Sequence, residues 1–191
     1  VLVGGGIMSA TLAVLLRQLD PELKIQIVEA LEEVARESSN PWNNAGTGHA
    51  ALCELNYTSE RADGSVDFSK ALEINEWYEY SRQYWATLVE KGILKNPSEF
   101  ITSAPHMSFV RGAENVDYLR RRYQTMGAHH FFEKTEFADD LETIGKWAPL
   151  LLDGREDEVP MALTRSPIGT DVNFGALTKA LFEELDGCPN V

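Results

Sequence analysis

The spacing of apolar residues at the start of the chain predicts a strand, a helix and a second strand. Residues 1–3 form an apolar run typical of a buried strand. Apolar residues then recur at helical spacing over residues 8–19, and Asp20-Pro21 ends the pattern. The β-branched positions within residues 25–28 predict the next strand. This order predicts a βαβ unit, in which a crossover helix joins two parallel strands.

The remaining patterns alternate in the same way between helices and strands. The predicted segments are a helix over residues 68–90, a strand over 106–110, a helix over 116–126, a helical stretch over 137–154 broken at Pro149, a strand over 161–165, a loop over 166–175 and a helix over 176–185. This alternation predicts an α/β fold class.

Composition and charge narrow the classes of function. Of the 191 residues, 43% are apolar and 25% are charged, as in an ordinary soluble globular protein. The formal net charge of −13 argues against a nucleic acid partner, because phosphates favour clusters of Lys and Arg. Cys53 and Cys188 have neither a metal-binding spacing nor a disulfide framework. We therefore expect no metal site and a reducing compartment.

Both ends of the sequence interrupt a predicted element. The chain starts inside a predicted strand without an initiator methionine, and its last residue follows a helix and a glycine as a new strand would. We therefore expect a piece of a longer protein, inactive by itself and truncated at both ends. No apolar run reaches the roughly 20 residues that span a bilayer.

Three consecutive glycines separate the first predicted strand from its helix. Residues 4–9 fit the pattern G-x-G-x-x-G, with Ser9 at the third glycine position. The glycines allow a tight turn and a close approach of the backbone to a pyrophosphate, whose charge the helix N-terminus stabilises. The predicted phosphate-binding residues are Gly4, Gly5, Gly6, Ile7, Met8 and Ser9.

An acidic residue ends the second predicted strand about 20 residues beyond the motif. A carboxylate at Glu29 can accept hydrogen bonds from ribose hydroxyls. The alternative is a tight turn beside an incidental surface glutamate. The strand, glycines, helix and glutamate together favour a dinucleotide, but the motif alone does not choose between NAD and FAD.

The polar loop after the second strand carries a specific resemblance. The run "WNNAGTGH", together with "GGGIMSATL", "PHMSFV" and "GTDVNFG", resembles the malate:quinone oxidoreductases over the whole chain. More distantly, the arrangement is similar to flavin oxidoreductases of the D-amino-acid oxidase type. The resemblance implies FAD as cofactor and a Rossmann-like FAD-binding domain with a three-layer parallel sheet. It also implies part of a second, α+β substrate domain.

The same resemblance implies how the chain divides. Residues 1–92 would form the first part of the FAD-binding domain, residues 93–161 would belong to the substrate domain, and residues 162–191 would return to the FAD-binding domain. The periodicity by itself shows only that strands and helices alternate.

The activity that the resemblance implies is oxidation of (S)-malate to oxaloacetate, a step of the tricarboxylic acid cycle. Electrons would pass from FAD to a membrane quinone. The enzyme would be a peripheral membrane protein on the cytoplasmic, inner face of the cell membrane.

Small and amide residues in the loop suit a flat cofactor. Backbone N–H groups there could contact the pyrophosphate or the flavin edge, and the amides can both donate and accept hydrogen bonds. The loop candidates are Asn43, Asn44, Ala45, Gly46, Thr47 and Gly48. The alternative is an Asn/Gly-rich turn without a ligand.

Malate oxidation needs a proton acceptor for the hydroxyl and cations for the two carboxylates. His49 is the candidate base, because histidine titrates near neutral pH. The alternative is a structural histidine, with the base elsewhere. His106, Arg111 and Arg165 are candidates for substrate binding. Each arginine could instead be a solvated charge.

Other reactive or charged residues favour structural roles. The run 120–122 of three arginines is typical of a solvated helix face. Cys53, considered as a flavin attachment point or nucleophile, is better interpreted as a small buried hydrophobic residue.

Two other functions stay open beside malate oxidation. One is a different FAD-dependent oxidoreductase for 2-hydroxy acids or amino acids. The other is a nucleotide-binding module without catalytic activity. An NAD-dependent dehydrogenase is disfavoured by the long loop.

Overall fold

The computed structural model describes all 191 residues, which fall into two compact units. The first unit comprises Val1–Gly48, Ser81–Thr102 and Asp171–Val191, and the second comprises His49–Tyr80 and Ser103–Thr170. Each unit is therefore assembled from segments that are distant in sequence.

Strands and helices alternate along the chain. They are β1 (Leu2–Val3), α1 (Ile7–Leu19), β2 (Ile27–Val28), β3 (Ser59–Glu60), β4 (Val66–Asp67), α2 (Ser69–Glu90), β5 (Ile101–Ser103), β6 (His106–Arg111), α3 (Ala113–Met126), β7 (Glu136–Ala138), α4 (Leu141–Trp147), β8 (Met161–Ser166), β9 (Thr170–Val172) and α5 (Phe174–Asp186). Short 3-10 turns occupy Leu55–Tyr57, Pro97–Glu99 and Pro149–Leu151. None of the helices has the length and apolar content needed to cross a membrane.

The first unit contains the βαβ arrangement that the sequence predicts. β1 and β2 pair in parallel, with Leu2 opposite Ile27 and Val3 opposite Val28. α1 connects them, so it has to cross over one face of the pair. The three glycines therefore lie where β1 turns into α1, at the carboxyl end of the strand.

The buried side of α1 consists of small residues. Ala10, Ala13 and Val14 are buried, and α1 packs against α5. Small side chains let two helices approach closely, and the larger Leu177 and Leu181 of α5 are fully buried. The sequence predicted α1 from its larger apolar residues, whereas the residues that are buried on it are the small ones.

The second unit is built on an antiparallel sheet of order β6-β8-β7. His106 pairs with Ser166, Arg111 pairs with Met161, and Glu136 pairs with Arg165. Because successive side chains of a strand point to opposite faces, this register decides which candidate residues can share a face.

Helices cover both faces of this sheet. Val116 and Leu119 of α3 pack with Ala162, whereas Ile144 of α4 packs with Leu163. Since residues 162 and 163 are neighbours on β8, their side chains lie on opposite faces. The second unit is thus a sheet between two helical layers, an α+β arrangement.

Two predicted segments differ from the structure. The helical stretch predicted over residues 137–154 is wrong at its start, because β7 occupies Glu136–Ala138 and pairs with β8. α4 begins only after Asp140, whose carboxylate accepts a hydrogen bond from the Thr143 N–H at 2.8 Å. The predicted loop over residues 166–175 contains β9, which pairs with β5. In both cases a partner strand distant in sequence determines the conformation.

The prediction of a solvated face for the three arginines of α3 is also wrong in part. Arg120 and Arg121 form exposed ion pairs, but Arg122 is only 1% exposed. Its Nε donates to Thr58 Oγ1 at 3.1 Å, and one terminal nitrogen donates to the Glu54 carbonyl at 3.2 Å. Burial lowers the pKa of the Arg122 guanidinium. Arg122 follows Leu119 by three positions and precedes Met126 by four, so it lies on the same buried face of α3 as these two residues.

Candidate functional site

A cleft of about 300 Å³ lies at the N-terminus of α1. Its lining comprises the end of β1, the glycine turn and first turn of α1, Glu29 and residues 35–39. The cleft therefore brings together all six predicted phosphate-binding residues and the predicted ribose ligand. It is formed entirely within the first unit.

The glycine turn meets the steric requirements of its surroundings. Gly4 has φ +94°, in the region that favours glycine. A Cβ atom on Gly5 would lie 3.0 Å from Glu29 Oε2 and 3.0 Å from Val34 Cγ1, and one on Gly6 would lie 3.2 Å from Ser39 Oγ. Side chains at these positions would displace the walls of the cleft.

Glu29 is fixed by backbone donors from both sides. Its carboxylate accepts hydrogen bonds from the Leu31 N–H at 2.9 Å and from the Gly5 N–H at 2.5 Å. These bonds lower the pKa of the Glu29 carboxyl. A carboxylate held ionised at the end of β2 is a suitable acceptor for ribose hydroxyls.

Sequence reasoning missed Ser39, which contacts the start of α1 directly. Ser39 is 3% exposed, and its hydroxyl accepts a hydrogen bond from the Ile7 N–H at 2.9 Å. That bond satisfies one of the N–H groups that a helix N-terminus leaves without a partner. A signal for this residue was present in the sequence, because Ser38 and Ser39 are hydroxyl residues of the polar loop that follows the second strand and its glutamate.

Ala35, another cleft residue, was missed because no sequence signal marks it. It has φ +60° and is buried, and its N–H donates to the Gly5 carbonyl at 2.9 Å. An alanine in this left-handed region is strained, and such strain persists only where the surroundings impose it. Here the bond to Gly5 ties the segment after β2 to the glycine turn.

The amide side chains of the loop stabilise the loop itself. Asn44 Nδ2 donates to the carbonyls of Ser38 and Asn40, at 2.8 Å each, and Asn44 Oδ1 accepts from the Gly46 N–H at 2.9 Å. Asn43 Nδ2 donates to the Glu37 carbonyl at 3.0 Å. The amide donors, which the sequence predicts as cofactor contacts together with the backbone N–H groups, are thus used within the loop, and so is the Gly46 N–H.

The loop is also joined to the segment before α5. The Val172 N–H donates to the Gly46 carbonyl at 2.5 Å, and Thr47 forms an antiparallel bridge with Asp171. Gly46 has φ +64°, and a Cβ there would lie 3.1 Å from the Val172 carbonyl oxygen. Glycine is therefore required at this position by both conformation and space.

The residues around the cleft fit a dinucleotide. The first turn of α1 offers backbone donors and the positive end of a helix dipole, which suit a pyrophosphate. The glycines leave the backbone open to close approach, and Glu29 presents an ionised carboxylate at the end of the neighbouring strand. Gly4, Gly5, Gly6, Ser39 and Glu29 are the residues that would hold it.

His49, the candidate base, belongs to the second unit and has a partner at each ring nitrogen. Nδ1 lies 3.0 Å from Glu54 Oε1, and Nε2 lies 2.8 Å from the Tyr57 hydroxyl. The carboxylate of Glu54 favours a proton on Nδ1, which leaves the lone pair on Nε2 facing the Tyr57 O–H. Glu54 and Tyr57 were missed by the sequence analysis, although both belong to the predicted loop.

The three candidate substrate residues do not meet in one place. His106 lies on one face of the sheet and both Arg111 and Arg165 lie on the other, by the alternation along β6 and its register with β8. Arg165 pairs with Met107, so the two arginines are about 13 Å apart along the strands.

Each of these three side chains already has a partner. Arg111 contacts Asp157 at 2.5 Å, and Arg165 contacts Glu136 at 2.9 Å. His106 Nε2 lies 3.1 Å from the Thr170 carbonyl, to which it can donate.

Cys53 is buried, as the sequence predicts. Its side chain is 2% exposed, and the thiol donates to the His106 carbonyl at 3.2 Å. Burial raises the pKa of the Cys53 thiol to about 11, so that it stays protonated at neutral pH. This environment does not activate a nucleophile.

A thiol reagent at neutral pH is therefore expected to modify Cys188, which is partly exposed, and to leave Cys53 unmodified. Peptide mass spectrometry after labelling of the native chain measures both sites. Labelling in denaturant should modify both, and Cys188→Ser should remove the native reaction. Equal labelling rates for the two cysteines in the native chain would contradict the buried environment of Cys53.

Comparison with solved structures identifies the fold. The chain is similar to glycine oxidase from Bacillus cereus with a TM-score of 0.60 and 19% identity, over 97% of this chain and 42% of that chain. It is also similar to L-amino acid deaminase from Proteus myxofaciens in complex with anthranilate, with a TM-score of 0.55 and 17% identity over 97% and 35% of the two chains. The predicted fold class is thereby confirmed.

Sequence comparison defines the family. The sequence model of the malate:quinone oxidoreductase family matches residues 1–191. Proteins named "Probable malate:quinone oxidoreductase" are 56% identical in Geobacillus kaustophilus, over 185 residues, and 53% identical in Oceanobacillus iheyensis, over 186 residues. The chain therefore belongs to the malate:quinone oxidoreductase family, which confirms the resemblance. The matches cover 97% of this chain but only 37% of the length of these relatives.

Proposed function

We propose that this chain supplies the dinucleotide site of an FAD-dependent enzyme that oxidises (S)-malate to oxaloacetate and passes electrons to a membrane quinone. Membership of the family over residues 1–191 carries this proposal, and the fit of the glycine cleft to a dinucleotide supports it. FAD, when bound, would accept the hydride from C2 of malate and deliver electrons to the quinone.

The residues of the cleft have distinct parts in this proposal. The first turn of α1 offers backbone donors to the pyrophosphate, and Glu29 accepts hydrogen bonds from the ribose. The backbone from Ala45 to Gly48 would lie against the flavin. Asn43 and Asn44 would act on the cofactor through the loop conformation that their side chains maintain.

His49 is proposed as the proton acceptor for the malate hydroxyl. Glu54 holds the ring by Nδ1 and would stabilise the imidazolium that forms when Nε2 takes a proton. The Tyr57 hydroxyl, now bonded to Nε2, would move to another acceptor when substrate binds.

For the two carboxylates of malate, the sheet offers Arg165 and Arg111 on one face and His106 on the other. Arg165 is the better candidate of the arginines, because it is less exposed than Arg111. Its guanidinium, also 5.7 Å from the Trp147 ring, would exchange Glu136 for a substrate carboxylate.

The proposed electron acceptor, a membrane quinone, determines the location that we propose for the enzyme. An enzyme that reduces a membrane quinone has to contact the bilayer, and we propose a peripheral protein on the cytoplasmic face of the cell membrane. In that setting it would contribute to the tricarboxylic acid cycle.

The test uses a polypeptide of the relatives' full length that carries this chain, purified with its cofactor. Under anaerobic conditions, (S)-malate should bleach the flavin absorbance, and a quinone analogue should restore it, whereas NAD should have no effect. A flavin band that malate leaves unchanged would overturn the substrate. The fold shared with glycine oxidase then makes an amino acid or another 2-hydroxy acid the second candidate. Absence of any flavin would favour a nucleotide-binding module without redox activity.

A further inference from the structure

The first turn of α5 contacts the loop that carries Ser39. Gly175 is buried there, and a Cβ atom on it would lie 2.7 Å from Pro41 Cδ. The same atom would lie 3.2 Å from the Ser39 carbonyl oxygen. No real Cβ approaches another heavy atom to 2.7 Å, so an alanine here forces one of the two segments to move.

Neither contacted atom can move by a side-chain rotation. Pro41 Cδ belongs to a ring that is bonded to the backbone nitrogen, and the Ser39 carbonyl is itself backbone. Relief of the contact therefore requires the backbone of residues 39–41 or the start of α5 to shift.

The start of α5 is held by three hydrogen bonds. The Asn173 side chain accepts from the Ala176 N–H at 2.9 Å and caps the helix. The Asn173 N–H donates to the Phe100 carbonyl at 2.7 Å, and the Val172 N–H donates to the Gly46 carbonyl at 2.5 Å. α5 is also anchored along its length by the buried side chains of Leu177, Leu181 and Leu185, whereas Pro41 is exposed, so the loop at residues 39–41 is the segment expected to yield.

A shift of this loop would be transmitted to the cleft. Ser39 Oγ accepts the Ile7 N–H at 2.9 Å and lines the cleft beside Gly6. Since this acceptor uses one lone pair of the hydroxyl, its O–H remains free to donate to a phosphate oxygen. Displacement of Ser39 removes that donor and leaves the Ile7 N–H without its partner.

We propose that Gly175 is a positioning residue of the dinucleotide site. The absence of a side chain at Gly175 lets α5 press against Pro41, and this contact keeps Ser39 at the N-terminus of α1. The inference rests on the proposed FAD site and adds to it a residue that is distant in sequence and does not itself line the cleft.

The decisive variant is Gly175→Ala in the polypeptide of the relatives' full length. We expect its affinity for FAD, measured by flavin fluorescence during titration of the apoprotein, to fall about tenfold. If the Cβ atom met no steric conflict, Gly175→Ala would leave the stability of the protein unchanged or raise it, because alanine has a higher helix propensity than glycine. Gly187→Ala is the matched control, since a Cβ there meets only the Glu184 carbonyl, at 3.5 Å.

A rescue variant tests the route of the effect. Pro41→Ala removes the Cδ atom that a side chain at position 175 would meet, so Gly175→Ala combined with Pro41→Ala should regain most of the lost affinity. Unchanged FAD affinity in Gly175→Ala, or a loss that Pro41→Ala does not rescue, would overturn the inference.

A measurement without cofactor separates this inference from the proposed function. In the apoprotein, Gly175→Ala should accelerate hydrogen exchange of the Ile7 amide, because Ser39 no longer accepts it. If the wild-type protein binds no FAD, the proposed function fails, while faster exchange at Ile7 would still support the positioning of Ser39. Exchange at the wild-type rate would overturn the positioning role in either case.

Discussion

Replacement of Gly5 by valine should abolish retention of FAD by the full-length polypeptide. Even a single Cβ at this position lies 3.0 Å from Glu29 Oε2 and from Val34 Cγ1, and valine adds two methyl groups to it. The substitution therefore displaces Glu29, the proposed ribose ligand, and fills the space over which the backbone would approach the pyrophosphate. We expect affinity to fall by about 100-fold or more, equivalent to ~3 kcal/mol. The ratio of flavin absorbance to protein after gel filtration measures this loss.

Gly187→Val provides the matched control for Gly5→Val. It makes the same substitution in the same unit, at a helix end where a Cβ makes only ordinary contacts. It should retain flavin as the unchanged protein does. Circular dichroism has to show that Gly5→Val keeps its helical content, and a folded Gly5→Val protein with normal flavin content would refute a cofactor role for this turn.

The glycine cleft could be predicted because its signals are local. The glycines, the start of α1 and the end of β2 lie within one βαβ unit, where chain order determines which residues become neighbours. Glu29 was found from its distance to the motif, and its bond to the Gly5 N–H agrees with that position. The long helix α2 was predicted equally well, since a periodicity sustained over its length is hard to produce otherwise.

The short strands could not be predicted because their partners are distant. β7 and β9 have three residues each, and a segment of this length has no periodicity that separates strand from turn. β7 exists because β8 offers it a free edge. The prediction of a helix there followed the local propensity, which pairing with β8 overrides.

The roles of individual residues in the site could likewise be predicted only where they depend on local sequence. Asn43 and Asn44 have the right chemistry for a ligand, but most of their hydrogen bonds go to carbonyls of their own loop. Ser39 was missed because its importance depends on where the loop returns to α1. The arginine run gave no signal for Arg122, because its acceptors belong to the turn at residues 54–58.

Truncation of Arg122 should cause the largest loss of stability among the arginine substitutions in α3. Arg122→Ala removes a side chain that is 1% exposed and leaves the Glu54 carbonyl and Thr58 Oγ1 without this donor. A cavity and lost buried hydrogen bonds together are expected to lower the free energy of unfolding by ~3 kcal/mol. Urea unfolding followed by circular dichroism should show a lower midpoint with an unchanged slope.

Two further variants identify the cause of that loss. Arg121→Ala removes a neighbouring, partly exposed guanidinium that pairs with Glu60, and it should shift the midpoint much less. Arg122→Met fills most of the volume but offers no donor, so its midpoint should fall between those of the unchanged chain and Arg122→Ala. A midpoint for Arg122→Met equal to that of Arg122→Ala would assign the loss to hydrogen bonding. Equal midpoints for Arg121→Ala and Arg122→Ala would show that burial of Arg122 contributes nothing.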